Sequence, residues 1–338
     1  MGSDRGVPRK SRPAGGVKGH NMKENCLGSH PARHCVPGKP PGLGRGELQI
    51  DLTESIREFA VEQLGVDLFG VAPVGRFERG PKEGRPTDYL RQATSVIVCA
   101  VKIPDAIIDV AGHYEERGKT LGPYMWYGYV TLNWDLSSAA RRLARFLEKK
   151  GFKGLPFPPT GLLYKYGSRS DFSHRHAAVA AGLGEFGFSG LLLTPEFGAR
   201  QRLVSIITDA PIKTSPMYNG PELCRPESCG YACIKACPTT AMSGKVSLTI
   251  ESRTFEYAKL QGVKCKWLFA EKGFRRTKVP MPPTPSEEDW QEVLRTTKPH
   301  PYDAALNQFT FVPQCGACIF SCPSPRFGRQ VPRPAKAG

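Results

Sequence analysis

The sequence predicts a mixed α/β (α+β) core with a largely buried sheet, followed by a cysteine-rich segment of different character. Three observations carry this. Apolar β-branched runs alternate with stretches of helical period between residues 51 and 210. Eight of the 11 cysteines fall at or after residue 224. Residues 1–46 hold ten Gly and six Pro, with nine Lys or Arg against two acids, a composition with no core to bury.

A length of 338 residues suits about two domains. The expected division is a disordered basic tail over 1–46, a core over 47–215, and a cysteine-rich domain over 216–338 with an insertion at 240–312. The net charge of +16 suggests an anionic partner such as nucleic acid, a phosphorylated ligand or an acidic redox protein. The tail carries +7 of it, which weakens nucleic-acid binding by the folded part. The tail also holds Cys26, Cys35, His20, His30 and His34. Their spacing matches no common zinc site, and solvated tail residues are the simpler reading. No apolar stretch approaches the ~20 residues that span a bilayer, and no leader pattern is read at the N-terminus. No membrane contact and a cytoplasmic location are expected.

The elements follow in order. Asp51 and Glu54 have the form of a capping box. Ile56, Phe59, Ala60 and Leu64 continue at helical spacing, and Gly65 closes the helix. Residues 66–72 read as a short strand. The run TSVIVCAV at 94–101 reads as a buried strand, with Cys99 a core thiol. An aromatic-dense stretch includes Tyr124, Trp126, Tyr127, Tyr129 and Trp134; it suits either a core or the wall of a large planar cofactor. A long amphipathic helix follows. Leu132, Leu136, Ala140, Leu143 and Leu147 make its apolar stripe, and Arg141, Arg142, Arg145, Glu148 and Lys149 the other face. Residues 173–181 look helical and run into GLGEFGFSG; residues 202–209 are another strand.

The chemistry lies in two cysteine runs. The first is Cys224-x4-Cys229-x3-Cys233-x3-Cys237-Pro238, the second Cys315-x2-Cys318-x3-Cys322-Pro323, and Cys265 lies between them. Eight thiolates are the number that two [4Fe-4S] clusters require. Both runs end C-x3-C-P, which structural zinc sites, the main competitor, rarely need. The gaps x4 and x3 depart from the commonest spacing. In two-cluster proteins the last Cys of a run ligates the other cluster. That rule gives Cys224, Cys229, Cys233 and Cys322 to one cluster, and Cys237, Cys265, Cys315 and Cys318 to the other.

Gly182, Gly184, Gly187 and Gly190 suit either close approach of a ligand or tight packing of helix on sheet. Asp171, His174 and His176 stand just before them, and His can deliver a proton near neutrality. Tyr164 and Tyr166 flank Lys165 and share a strand face; a half-buried strand is the plainer reading.

With these motifs in this order, residues 60–325 resemble the group that holds epoxyqueuosine reductases and reductive dehalogenases. AGLGEFGFSGLLLTPEFG at 181–198 and the cysteine runs carry the resemblance. It implies a nitroreductase-like core that holds a corrinoid (cobalamin), followed by a ferredoxin-type domain with two [4Fe-4S] clusters. Electrons from an external ferredoxin or flavodoxin-like donor would reach cobalt through the clusters. It further implies corrinoid contacts at Gly182, Leu183, Gly184 and Gly187. Asp171, His174, His176, Tyr164 and Tyr166 are the implied proton donors. The expected form is short, without a twin-arginine leader or a C-terminal helical repeat. The expected function is a corrinoid-dependent iron–sulfur reductase acting on a small molecule. The competing expectations are a two-cluster electron-transfer protein without substrate chemistry, and an epoxyqueuosine reductase that modifies tRNA.

Overall fold

The structure, a computed structural model, describes residues 45–111, 123–160, 171–271, 279–296 and 315–324. Tyr164, Tyr166 and the tail cysteines and histidines lie outside the described residues.

The first helix, α1, spans Arg45–Glu58 and continues as a π-helical turn over Phe59–Gln63. Asp51 therefore sits inside the helix rather than at its cap, which corrects the expected start. The backbone upstream supplies the preceding turn, so no capping residue is needed at 51. Gly65 leaves in the left-handed conformation (φ 69°), as expected for the residue after a helix.

The core sheet is built from β1 (Leu68–Pro73), β2 (Ser95–Lys102), β3 (Gly154–Pro156) and β6 (Gln201–Thr208), in the order β1-β2-β6-β3. Every pairing is antiparallel, so the class is α+β. The central strand β2 buries Val96, Ile97, Val98, Cys99 and Ala100. Buried on both faces, it needs the continuous apolar run that the sequence shows. Cys99 is the expected core thiol: burial alone pushes its pKa up to about 12.

Between β1 and β2 lie a short helix α2 (Pro86–Tyr89), and after β2 comes α3 (Asp105–Ala111). A π-helical stretch over Tyr124–Val130 leads into α4 (Thr131–Lys149). Leu132, Leu136, Ala140, Leu143 and Leu147 of α4 are buried, while Arg141, Arg142, Arg145, Glu148 and Lys149 are exposed. Leu136, Ala140, Leu143 and Leu147 pack with Ile56 and Ala60 on one face of the sheet, against Ile97, Val204 and Ile206, while Leu132 packs with Ile103, Tyr124 and Tyr129. Each fully buried leucine of this kind stabilises the fold by about 2 kcal/mol.

The opposite face is covered by α5 (His174–Ala180), whose Ala177, Ala178, Val179 and Ala180 pack with Val96, Val98 and Ile207. Small side chains let this helix lie close to the sheet. The chain then forms a two-stranded ribbon, β4 (Glu185–Phe186) with β5 (Leu192–Leu193). After β6 come the short helices α6 (Pro226–Cys229) and α7 (Ala232–Lys235), then a hairpin of β7 (Met242–Ile250) and β8 (Arg253–Leu260). The helices α8 (Gly262–Glu271) and α9 (Glu287–Thr296) pack through Trp267 and Trp290, whose rings are 6.2 Å apart. The short α10 (Ala317–Phe320) packs beside α7.

Described residues on the two sides of the expected boundary near 215 are in contact. The Arg76–Glu251 ion pair at 2.7 Å crosses that position, and Arg76 also donates to the carbonyls of Ala180 and Ser215. Among the described residues no helix is long and apolar enough to cross a membrane.

Candidate functional site

The first thiol quartet is assembled from three separate places. Cys224 lies in the loop before α6, Cys229 and Cys233 lie on α6 and α7, and Cys322 follows α10. All four line one small void with Phe188, Ser189 and Tyr231. The turn that brings Cys229 and Cys233 together needs two successive left-handed residues, Gly230 (φ 61°) and Tyr231 (φ 58°). For Tyr231 that conformation costs on the order of 1 kcal/mol; its hydroxyl donates to Glu227 at 2.9 Å.

The second quartet is Cys237, Cys265, Cys315 and Cys318. Cys265 lies on α8, Cys315 just before α10 and Cys318 on it. The helix α10, which carries Cys318, packs beside α7, which carries Cys233 of the first quartet. Gly316 (φ 67°) turns the chain between Cys315 and Cys318.

Backbone amides point at these sulfurs. The N–H of Phe188 donates to Cys224 Sγ at 3.1 Å and that of Ala241 to Cys237 Sγ at 3.2 Å. Backbone groups of Ile234, Ala317 and Ser324 likewise favour charged sulfur at Cys233, Cys315 and Cys322. Against this, burial raises the thiols: Cys224 and Cys265 are pushed up to about 12 and Cys322 to about 11, and Cys318 is raised further. Without a metal charge these thiols stay protonated, so any metal they take must displace protons.

Among the described residues no three His, Cys, Asp or Glu side chains converge tightly enough to hold a metal ion. A single tetrahedral ion bound at ~2.3 Å needs its sulfurs almost in contact. A four-iron cubane takes one thiolate per corner and holds its thiolates apart. Four thiols that line one void, with the Phe188 amide on the Cys224 sulfur, are a donor set of the kind a cubane takes.

Glu185 organises the first quartet. It is 5% exposed. Its Oε1 accepts the amide N–H of Leu223 at 2.6 Å and of Cys224 at 3.3 Å. Its Oε2 is paired with Arg253 at 2.6 Å, and Arg253 also donates to the Tyr218 carbonyl. The hairpin and β4 thereby fix the loop that carries Cys224.

The predicted proton donors fare differently. His174 donates from Nε2 to the Pro158 carbonyl at 2.7 Å, which leaves Nδ1 to accept from the Ser205 hydroxyl at 2.9 Å. Both nitrogens are used, and burial lowers its pKa to about 4. This is a neutral, structural histidine. His176 also sits at about 4, through burial and then the Arg175 charge. Its partners are two hydroxyls, Ser173 Oγ at 2.6 Å and Tyr257 Oη at 3.1 Å, so it can pass a proton between them. Asp171 has one carboxylate oxygen buried without a partner, and its carbonyl accepts from Tyr89 at 2.6 Å.

The glycine segment is filled by protein. A Cβ on Gly182 would stand 1.9 Å from the Pro216 carbonyl oxygen, and one on Gly184 1.9 Å from that of Leu193. On Gly187 it would meet the Leu193 side chain at 3.0 Å, and Leu183 packs against Gly70. The glycines serve close packing here, while Gly182 and Leu183 stay half-buried.

Tyr257, Glu185, Arg253 and Arg175 are the site residues that the sequence reading missed. Only Glu185 left a signal: an acid between glycines and phenylalanines in a buried segment requires partners.

No family model matches the chain. A segment of 113 residues, 32% of this chain and 18% of the relative, is 36% identical to the tetrachloroethene reductive dehalogenase of Dehalobacter restrictus. A solved reductive dehalogenase whose structure "suggests a mechanism for B12-dependent dehalogenation" superposes with a TM-score of 0.50 at 14% identity, over 84% of this chain and 39% of that one. An epoxyqueuosine reductase superposes with a TM-score of 0.49 at 19% identity, over 81% and 65%. The chain thus spans less than two thirds of each of these proteins. A likeness to reductive dehalogenases is found in both kinds of comparison.

Proposed function

We propose that this chain is an iron–sulfur oxidoreductase of the reductase type, with one [4Fe-4S] cluster on Cys224, Cys229, Cys233 and Cys322 and a second on Cys237, Cys265, Cys315 and Cys318. The observation that carries it is the gathering of Cys322 with Cys224, Cys229 and Cys233 around one void, although Cys322 is 85 residues beyond Cys237 in the chain. When bound, such clusters accept and pass single electrons. Reduction of a substrate in this reading takes two electrons and a proton, the electrons from an external ferredoxin or flavodoxin-like donor.

The chain's own residues supply the rest. Glu185 and Arg253 hold the Cys224 loop. The amides of Phe188 and Ala241 stabilise charge on sulfur. The Ser173–His176–Tyr257 series is the one proton route among the expected donors that the described residues bring together. A corrinoid as second cofactor rests on the fold shared with a B12-dependent dehalogenase. Gly182, Gly184 and Gly187 are spent on packing.

That packing favours a second reading, a two-cluster electron carrier with no substrate of its own. A tRNA-modifying reductase retains only the support of positive charge. One experiment separates them. Anaerobically purified protein, reduced with a viologen dye, is offered halogenated phenols and epoxyqueuosine-containing tRNA, and its corrinoid content is measured. Turnover of either substrate supports the reductase. Full clusters with no corrinoid and no turnover support the carrier.

A further inference from the structure

The insertion between the two cysteine runs contributes one thiol, Cys265, and the helix that carries it, α8, is held at two points. The first is its start. The Cys265 N–H donates to the Gln261 carbonyl at 3.0 Å, and the Gln261 N–H to the Ala241 carbonyl at 2.7 Å. The Ala241 N–H in turn donates to Cys237 Sγ at 3.2 Å. Backbone hydrogen bonds thereby join the segments that carry two thiols of the second quartet. The second point lies just beyond Cys265. Lys266 is 8% exposed, and its Nζ meets the Glu287 carboxylate of α9 at 2.7 Å. The same Nζ stands 5.1 Å from the centre of the Trp290 ring. Trp267 is buried against Trp290, with ring centres 6.2 Å apart, and Val293 belongs to the same apolar cluster. The buried indole N–H of Trp267 makes no hydrogen bond, so packing alone holds that ring. This small core is separate from those on the two faces of the sheet.

We propose that Trp290 is a positioning residue for the second cluster: through Lys266 and Trp267 it fixes the turn of α8 that presents Cys265. The inference rests on the two-cluster reading above and deepens it. Successive helix residues turn by about 100°, which places Cys265 and Trp267 on nearly opposite sides of α8. Helix α9 therefore grips α8 from behind the thiol. Groups behind a metal ligand fix its orientation. A cubane takes one thiolate per corner, so the thiol from α8 must stand at a set place relative to the other three. A helix held only at its Gln261 end can pivot; the Trp290 contact removes that freedom.

The test uses the full chain, reconstituted anaerobically, with iron counted first. Fewer than about eight irons per wild-type chain contradicts the two-cluster reading and overturns this one with it. With both clusters present, wild type, Trp290→Ala, Trp290→Phe and Cys265→Ser are compared by iron content and by EPR of the reduced protein. Trp290→Ala is expected to hold about four irons and to lose the same cluster signal as Cys265→Ser, with the other kept. Trp290→Phe keeps a ring against Trp267 and should hold about eight. Full iron in Trp290→Ala, equal loss of both clusters, or loss of the other signal overturns the proposal. If Trp290→Ala yields no folded protein, Glu287→Gln decides, because it weakens the Lys266 ion pair and leaves the indole pair. Release of half the iron to a chelator faster than in wild type supports the grip on α8. Release at the wild-type rate, or faster release of all the iron, overturns it.

Discussion

Glu185 and Cys224 are joined by a carboxylate-to-amide hydrogen bond of 3.3 Å, made by the same oxygen that holds Leu223 at 2.6 Å. A residue of the core ribbon thereby sets the position of the first cysteine of the first run. Glu185→Ala is expected to empty the first cluster and leave the second, so iron falls from about eight to about four per chain. The variant also leaves two amides and Arg253 without their acceptor, a cost of about 2 kcal/mol. Glu185→Gln keeps an acceptor oxygen and should retain most of the iron. Iron analysis of the two variants checks this; equal iron in Glu185→Ala and wild type would show that Cys224 needs no such anchor.

Gly182 is predicted to be a fold residue. Its φ is 75° and a Cβ would overlap the Pro216 carbonyl oxygen at 1.9 Å. Gly182→Ala should destabilise the whole unit by more than about 2 kcal/mol, lowering the melting temperature and the content of every cofactor together. Selective loss of corrinoid with an unchanged melting temperature would instead assign this face to a ligand.

His174 predicts a pH dependence. Its folded pKa of about 4 lies below the ordinary 6.5, so between these values the unfolded chain binds more protons. Stability is complete above about pH 6.5 and is lost as pH falls toward 4. From pH 7.5 to 5.5 this one group should remove about 1 kcal/mol. Denaturant midpoints at the two pH values, for wild type and His174→Gln, isolate it: the variant should lose less. Equal losses would place the proton elsewhere.

Cys265 and Cys99 should differ sharply. Cys265→Ser is expected to damage the second cluster and spare the first, since the proposed ligand set gives Cys265 to the second cluster alone. Cys99, 2% exposed within β2, belongs to neither proposed quartet, and Cys99→Ser should keep both clusters at a cost of about 1–3 kcal/mol for a buried hydroxyl. Separate EPR signals of the two variants, compared with wild type, read the difference directly.

Much of this was legible in the sequence because it is local. The α4 stripe of Leu132, Leu136, Leu143 and Leu147 repeats at helical spacing, and the apolar run 94–101 marks the strand whose residues 95–100 are buried. The cysteine runs announce themselves by spacing. What was not legible is set by long-range packing. Tyr257 reaches His176 across 81 residues and Arg253 reaches Glu185 across 68, and no local pattern marks either pair. The glycines were ambiguous for a different reason. A missing Cβ marks a close approach, but only the fold shows that Pro216 and Leu193 make it. Asp51 misled because a capping-box pattern inside a longer helix reads like one at its start.

The measurement closest to the central claim is the metal and sulfide content of the chain after anaerobic reconstitution with iron, sulfide and zinc offered together. Two cubanes on the eight thiols predict about eight iron and eight acid-labile sulfide per chain, with the broad visible absorption of iron–sulfur charge transfer. Tightly held zinc at one or two per chain, without sulfide or that absorption, would contradict the account and make the quartets structural.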